Sequence, residues 1–259
     1  MGNKFYKPTA RNNNTVPMNG LILYGKHAAA AAIANPKRII NKIAVTAENA
    51  EEIRKLVKGS GRNEGIIKVV DRKEIDKMLP PDAVHQGIAV QAKELENYEI
   101  EDVCIENEEI QNSFVLILDQ VTDPQNVGAI IRSCAAFGAA ALIMQDKNSP
   151  AESGAMAKAA AGTLELVPVC RVTNLSRAID QLKKAGFWIA GMDGYAKITI
   201  DKMNKNGKIG IVMGSEGKGM RRLVEESCDE TVKLPIAPQV ESLNVSTAAA
   251  IALYEISRK

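Results

Sequence analysis

The stretch Ile-Gly-Ile-Val-Met-Gly-Ser-Glu-Gly-Lys-Gly, residues 209–219, joins a short apolar run to a glycine-rich loop. The apolar run predicts a buried strand, and glycines after such a strand indicate a loop whose backbone approaches another group closely. Glu216 stands among three glycines, where little packing accounts for a carboxylate. We therefore expect residues 214–219 to form the floor of a ligand site; the alternative is a surface turn with a solvated Glu216. The loop matches neither a P-loop nor the Gly-x-Gly-x-x-Gly dinucleotide fingerprint.

Strand and helix signals alternate on both sides of this loop. The continuous apolar run Phe114–Leu118 predicts a strand buried on both faces, as in parallel sheets. Further strands are predicted at residues 141–144, 164–169, 187–190, 209–213 and 232–234, and helices at 127–137, 151–161, 175–185, 220–228 and 243–257. This alternation predicts an α/β fold with a parallel sheet covered by helices. Because ligands of such sheets bind at the carboxyl ends of the strands, the loops after residues 118, 190, 213 and 234 form the candidate site.

The chain is predicted to consist of a tail, two domains and a linker. Residues 1–19 carry basic but no acidic side chains and predict a disordered tail. Residues 20–93 alternate between strand and helix signals and predict a small α/β domain. Residues 94–112 include eight acidic and no basic side chains, which is typical of a solvated linker. Residues 113–259 form the larger domain.

Composition narrows the class of protein. The apolar fraction of 46% suits a protein with a core, and no apolar run approaches the roughly 20 residues that span a bilayer. No apolar stretch follows Met1, and the four cysteines lie far apart, so we expect a cytoplasmic protein with reduced thiols. With two histidines and no metal-type cysteine spacing, we expect no metal site.

A second motif follows the first strand of the larger domain and spans residues 119–132. Asp123 and Pro124 suit the N-cap and first turn of a helix, which is a purely structural explanation. That explanation does not cover Arg132, which lies among apolar residues of the same predicted helix. A guanidinium there is expected to point out of the helix toward a cleft with an anionic partner. From the residues alone, the structural and functional interpretations both stay open.

A third motif, Ser242-Leu243-Asn244-Val245-Ser246, opens the last predicted helix. Ser242 suits an N-cap, and the apolar residues that follow recur at helical spacing. Asn244 would then lie inside the first turn, where asparagine is disfavoured. The motif therefore predicts a helix start with one polar side chain that capping does not explain.

Together, in this order, the three motifs resemble those of the SpoU (TrmH) family of RNA ribose 2′-O-methyltransferases. The resemblance covers residues 114–259. The segments Tyr24–His27 and His85–Ile88 are similar to the substrate-binding domain of the branch that modifies a guanosine in large-subunit ribosomal RNA. The resemblance implies a methyltransferase domain with a trefoil knot, together with an N-terminal RNA-binding domain. Knots are rare in protein chains. The resemblance also implies S-adenosylmethionine as cofactor, no metal, and a homodimer.

The resemblance also assigns roles to individual residues. The catalytic residues it implies are Asn126, Arg132, Glu216, Ser242 and Asn244. The cofactor-lining residues it implies are Gly214, Ile236 and Leu243. Ala161 stands where relatives often have a serine. Because the arginine pKa exceeds about 12, Arg132 is a poor general base. We expect Asn126 and Glu216 to hold Arg132 beside the ribose. Whether Arg132 takes part in proton transfer stays open.

Two other functions remain compatible with the sequence. One is 2′-O-methylation of transfer RNA, which the matching N-terminal domain and the lack of a basic C-terminal extension disfavour. The other is RNA binding without catalysis, which the presence of all five implied catalytic residues argues against.

Overall fold

The structure is a computed structural model that describes residues 20–258. In this part of the chain, a smaller unit precedes a larger one. The smaller unit contains the elements β1 Leu21–Tyr24, α1 Lys26–Ala34, β2 Ile40–Val45, α2 Ala50–Gly59, β3 Ile67–Val69, α3 Arg72–Asp76 and β4 Ile88–Ala92. Its four strands form a mixed sheet in the order β1-β4-β2-β3, in which β4 runs antiparallel to both neighbours. The predicted disordered tail, residues 1–19, lies outside the described residues.

The larger unit is the predicted parallel sheet with helices on both faces. Its strands are β5 Ser113–Leu118, β6 Ala141–Gln145, β7 Val169–Val172, β8 Phe187–Met192, β9 Ile198–Thr199, β10 Lys208–Met213 and β11 Glu230–Lys233. Its helices are α5 Pro124–Phe137, α6 Gly154–Ala160, α7 Leu175–Lys184, α8 Arg222–Glu226 and α9 Val245–Ser257. The strand order is β7-β6-β5-β10-β8-β11-β9, and all the paired strands run parallel. The α/β, parallel-sheet fold class is therefore confirmed.

Alternation along β5 shows how the sheet is covered. Leu116 and Leu118 belong to a buried cluster with α5, α6 and α9, whereas Val115 and Ile117 belong to a cluster with α7 and α8 on the opposite face. The first cluster continues into the smaller unit through α1 and β1. The two units therefore share one apolar core.

The acidic segment is more structured than a solvated linker. A helix, α4 Ile100–Glu106, forms within it, and Ile100 and Val103 are buried in the cluster of α7. Ile105 and Ile110 remain exposed. Two apolar side chains three positions apart lie on one face of a helix and suffice to dock this short one, although its other faces carry charge.

The predicted strand 164–169 was wrong in position. Residues Thr163–Glu165 form a 3₁₀ turn, and β7 begins at Val169. The turn follows Gly162 at φ 95°, and the Thr163 hydroxyl donates to the carbonyl of Ala160. Pro168 has no N–H to donate to the ladder, although its carbonyl accepts the Leu142 N–H at 2.9 Å, so pairing with β6 begins at this point and not at residue 164. The two-residue strand β9 was not predicted, because two residues show no periodicity.

Within residues 20–258, no helix is long and apolar enough to cross a membrane.

Candidate active site at the carboxyl ends of the strands

The three motifs meet at one point. The Asn244 side-chain amide donates from Nδ2 to Glu216 Oε1 at 2.8 Å and to Asn126 Oδ1 at 3.0 Å. Glu216 Oε1 also accepts the Val245 backbone N–H at 3.0 Å. The loop after β10, the first turn of α5 and the start of α9 are thus joined by side-chain contacts at the carboxyl edge of the sheet, where the sequence places the candidate site.

Asn244, and not Ser242, is the N-cap of α9. Its Oδ1 accepts the backbone N–H of Ser246 at 3.0 Å and that of Thr247 at 3.3 Å. The prediction that Ser242 caps the helix was wrong, because the helix begins two residues later. Ser242 is exposed and makes no hydrogen bond with any residue from 20 to 258. Asn244 therefore uses its oxygen to cap the helix and its nitrogen to bind the other two motifs.

The start of α5 agrees with its prediction. Asp123 is the N-cap, its carboxylate accepts the Gln125 N–H at 2.9 Å, and Pro124 occupies the first turn. This rigid start presents Asn126 within the first turn, half-buried and within reach of Asn244. Local capping thus sets the position of a proposed site residue.

The glycine loop is folded tightly on itself. Ser215 and Gly219 exchange backbone hydrogen bonds of 3.1 and 2.9 Å across the loop. A Cβ on Gly214 would collide with the backbone of Gly219 and Met220. Gly217 and Gly219 have φ values of 78° and 67°, which side chains rarely adopt. Glycine is therefore required both for close backbone approach and for backbone conformation.

An ion pair between a buried carboxylate and a partly exposed arginine holds the far end of this loop, and it was not found from the sequence. Asp119, fully buried at the end of β5, accepts the Arg221 backbone N–H and its Nε, each at 2.8 Å. The next residue, Gln120, has a φ of 60°. An acidic residue directly after a fully apolar strand was the available signal, since a buried carboxylate requires partners. The pair fixes the distance between the β5 end and the loop of Glu216.

Arg132 does not join this cluster within one chain. It lies in α5 with its side chain exposed, and it makes no hydrogen bond or ion pair with any residue of the described chain. The expected placement of Arg132 by Asn126 and Glu216 is therefore not formed here, and Asn244 is their partner instead. The guanidinium remains accessible to an anionic group from outside the chain.

The segment between β11 and α9 leaves apolar side chains at the rim of the site. Ile236 and Val240 are 37% and 45% exposed, and Leu243 is partly buried. Apolar side chains beside a loop with accessible backbone suit a ligand that has both a flat apolar part and hydrogen-bonding groups.

The thiols do not contribute nucleophiles. The pKa of Cys134, Cys170 and Cys228 is raised to about 12, chiefly by burial of the thiols. These thiols therefore stay protonated near neutral pH, and only a thiolate attacks. In residues 20–258, no three His, Cys, Asp or Glu side chains are grouped so that they could hold a metal ion.

Comparison with protein families places these features in a known group. The model of the SpoU rRNA Methylase family matches residues 113–254. A second model, for the substrate-binding domain of RNA 2′-O ribose methyltransferases, matches residues 22–98. The two matches coincide with the larger and the smaller unit of the fold.

Individual relatives cover nearly the whole chain. The 23S rRNA (guanosine-2′-O-)-methyltransferase RlmB of Pectobacterium atrosepticum is 36% identical over 92% of this chain and 98% of its own. A Bacillus subtilis protein, YacO, named as a TrmH-family tRNA/rRNA methyltransferase, is 39% identical over 81% of this chain and 83% of its own. Their names include both ribosomal and transfer RNA.

Solved structures share the fold at lower identity. An AdoMet-bound rRNA methyltransferase from Sinorhizobium meliloti superposes with a TM-score of 0.76 at 20% identity, over 92% of this chain and 87% of that one. The SpoU methyltransferase AviRb from Streptomyces viridochromogenes, in complex with AdoMet, gives a TM-score of 0.75 at 19% identity, over 92% and 89%. At these identities the likeness shows the arrangement of both units.

Proposed function

The chain belongs to the SpoU rRNA Methylase family. We propose that its site methylates the ribose 2′-hydroxyl of a guanosine in large-subunit ribosomal RNA. The observation that carries this proposal is the contact of Glu216, Asn244 and Asn126 beside the glycine loop. All three family motifs therefore contribute to one site. The cofactor is S-adenosylmethionine, which supplies a methyl group on a sulfonium.

The chain's own residues would act chiefly by positioning. A ribose 2′-hydroxyl is a weak nucleophile, and it must be held in line with the methyl group and lose its proton. The amides of Asn126 and Asn244 and the carboxylate of Glu216 form a fixed polar surface against which a ribose can be oriented. Gly214, Ile236 and Leu243 would hold the cofactor, and Ser242 is exposed beside them to contact RNA.

Arg132 would contact the target nucleotide. Its exposed, unpaired guanidinium suits the ribose and adjacent phosphate, which it can bind through a planar fork. A guanidinium is a poor general base, so Arg132 would orient the hydroxyl unless a phosphate draws off its proton. Because Arg132 does not contact Glu216 or Asn126 within one chain, we propose that it completes the site only when RNA and a second copy are bound.

We propose a homodimer formed through the larger domain. Ile251 and Tyr254 on α9 are 41% and 49% exposed, and the Tyr254 ring lies edge-on to Phe137 of α5, with centroids 5.9 Å apart. An apolar face at the junction of two helices is a suitable dimer surface. Sedimentation that shows only monomer at tens of micromolar would contradict this proposal.

We also propose that the larger domain is a trefoil knot. Family membership supports this proposal, as does the attachment of the segment 221–244 at both ends, through Arg221 to Asp119 and through Asn244 to Asn126. We propose the following division of the chain: a tail at 1–19, an RNA-binding domain at 20–93, a linker at 94–112 and the methyltransferase domain at 113–259. We place the protein in the cytoplasm because ribosomal RNA is its proposed substrate.

One experiment distinguishes the candidate functions. The purified protein is incubated with methyl-labelled S-adenosylmethionine and either large-subunit ribosomal RNA or transfer RNA, and ribose-methylated nucleotides are mapped. Label at one ribosomal guanosine supports the proposal, and label only in transfer RNA supports the second candidate, which the tRNA/rRNA name of YacO favours.

Calorimetry on the same sample serves as the control. We expect micromolar binding of S-adenosylmethionine without added metal. A folded dimer that binds RNA but does not bind the cofactor and transfers no methyl group would instead be a non-catalytic RNA-binding protein.

A further inference from the structure

A single arginine of the smaller unit is buried among acidic groups of the larger one. The Arg38 side chain, between α1 and β2, is 0% exposed. Its Nη1 donates to Glu152 Oε1 at 2.6 Å and to the Lys93 carbonyl at 2.8 Å. Its Nη2 and Nε donate to Glu165 Oε1 at 2.6 and 3.0 Å. Arg38 thus binds two carboxylates from separate parts of the larger unit.

Both carboxylates also bind donors from the segments before the larger unit. Glu152 Oε2 accepts the Leu95 backbone N–H at 3.0 Å, and Glu165 Oε2 accepts Asn35 Nδ2 at 2.6 Å. The Glu152 and Glu165 side chains are only 9% and 4% exposed. We call Arg38, Glu152 and Glu165, with these partners, the interdomain ion cluster. A buried charge set of this kind keeps its geometry, because any opening leaves an unpaired charge in the interior.

Direct backbone contact surrounds the cluster. A Cβ on Gly154, at the start of α6, would collide with the Ile22 carbonyl oxygen and lie 2.5 Å from the Tyr24 ring. A Cβ on Gly162 would lie 3.0 Å from the His27 carbonyl oxygen. At these points the backbone of the larger unit lies directly against the smaller unit and leaves no room for a side chain on either glycine, so the two units have little freedom to slide.

Lys158 makes a further connection between the two units. Lys158 of α6 extends over Gly25, and its Nζ donates to Gln86 Oε1 at 2.8 Å. Gln86 Oε1 also accepts the Lys26 backbone N–H at 3.1 Å, and Gln86 adopts a φ of 56°. Two separate sets of polar contacts beside a shared apolar core resist rotation as well as separation.

We propose that Arg38 is a positioning residue that fixes the smaller, RNA-binding unit in one orientation relative to the methyl-transfer site. This inference rests on the proposed function. RNA held by the smaller unit would then present its target ribose at the methyl-transfer site. Because the two units are already ordered relative to one another, RNA binding would not have to offset the entropy cost of ordering them. Without the interdomain ion cluster, RNA binding would have to order the two units, and this cost would weaken productive RNA binding.

The test uses the full chain with Arg38→Met and a matched control, Arg62→Met. Arg62 binds the carbonyls of Ile33 and Asn35, at 2.9 and 2.5 Å, in the same region of the smaller unit. Within residues 20–258, Arg62 makes no hydrogen bond or ion pair with the larger unit. Distances between spin labels on the two units, KM and kcat for ribosomal RNA, and S-adenosylmethionine binding are measured for each variant.

We expect Arg38→Met to broaden the distribution of distances between the spin labels on the two units. We also expect it to raise KM for RNA roughly tenfold, which corresponds to a tenfold loss in affinity. Cofactor affinity should be unchanged, and Arg38→Lys should restore part of the alignment. Arg62→Met should lower the melting temperature without broadening the distances. A folded Arg38→Met protein with narrow distances and wild-type KM overturns the proposal.

A second variant covers the possibility that Arg38→Met fails to fold because two carboxylates are left unpaired. Arg38→Met combined with Glu152→Gln and Glu165→Gln removes the charges together, which is far less costly than removing one partner. It is expected to fold with broadened distances, and narrow distances would again overturn the proposal. Because the distance measurement needs no turnover, it stays informative even if the wild type methylates no RNA, which would refute only the proposed function.

Discussion

Replacing Asn244 by serine should separate its structural task from its task in the site. The Asn244 oxygen caps α9 through Ser246 and Thr247, and its nitrogen binds Asn126 and Glu216. Serine keeps an oxygen suited to the cap but has no nitrogen to donate. Asn244→Ser should therefore preserve the helix start while disconnecting the three motifs.

The expected magnitudes follow from these contacts. Serine and asparagine are about equal as N-caps, so the cap should change by only a few tenths of a kcal/mol. Loss of the exposed amide contacts should cost about 1 kcal/mol, or about 2–4 °C in melting temperature for a chain of this size. Asn244→Ala should cost about 1 kcal/mol more, because it also removes the cap. Turnover should fall about 100-fold in both variants, since a displacement of about 1 Å in a positioned site has that effect.

Thermal melting and single-turnover methyl transfer on the same preparation test this reasoning. Asn174→Ser is the matched control, because Asn174 caps α7 through the Arg177 N–H at 3.1 Å and has no contact with the three motifs. The control should keep its turnover. The reasoning is refuted if Asn244→Ser melts like the control and also transfers methyl groups at the same rate.

Three further predictions concern other parts of the chain. Arg132→Ala should change stability by no more than about 0.5 kcal/mol, because its side chain is exposed and unpaired in the described chain, yet reduce methyl transfer by about 100-fold; near-normal turnover in the folded variant would end its proposed role. Gly214→Ala should cost about 1–3 kcal/mol by forcing the glycine loop away from Gly219, and calorimetry should show weaker cofactor binding; unchanged affinity would contradict the proposed cofactor site. Burial raises the pKa of the Glu152 carboxyl group above its ordinary value of 4.5, against the opposing effect of Arg38. The carboxyl group therefore stays protonated to higher pH in the folded state than in the unfolded chain. The free energy of unfolding should therefore fall as pH rises through the interval above 4.5, and Glu152→Gln should flatten this slope in denaturant titrations; parallel slopes would contradict it.

Prediction from the sequence worked best where neighbouring residues decide the outcome. The strand before the glycine loop and the Asp123 cap of α5 both formed as expected. The errors came from similarly local but competing signals. Apolar residues around Leu166 suggested a strand, whereas the backbone at Gly162 and the missing N–H of Pro168 delayed pairing until Val169.

Asn244 shows the same limit at the site. Serine at 242 is a good cap by residue type, and asparagine at 244 is an equally good one. The choice between them depends on where α9 packs, and the later start lets the Asn244 amide reach Glu216. Residue preferences alone could not distinguish the two starts.

The sequence by itself determined the α/β class, the presence of a glycine loop and the family, because periodicity, glycine positions and motif order are properties of short segments. Only the tertiary structure decided which segments meet. Asn126 and Asn244 are 118 positions apart, and Arg38 and Glu165 are 127 apart. The first contact depends on the strand order within the larger unit, and the second on the docking of one unit against the other. Periodicity shows which face of an element is buried but does not specify what covers it, so neither the Asn244 contacts nor the interdomain ion cluster could be predicted from the chain alone.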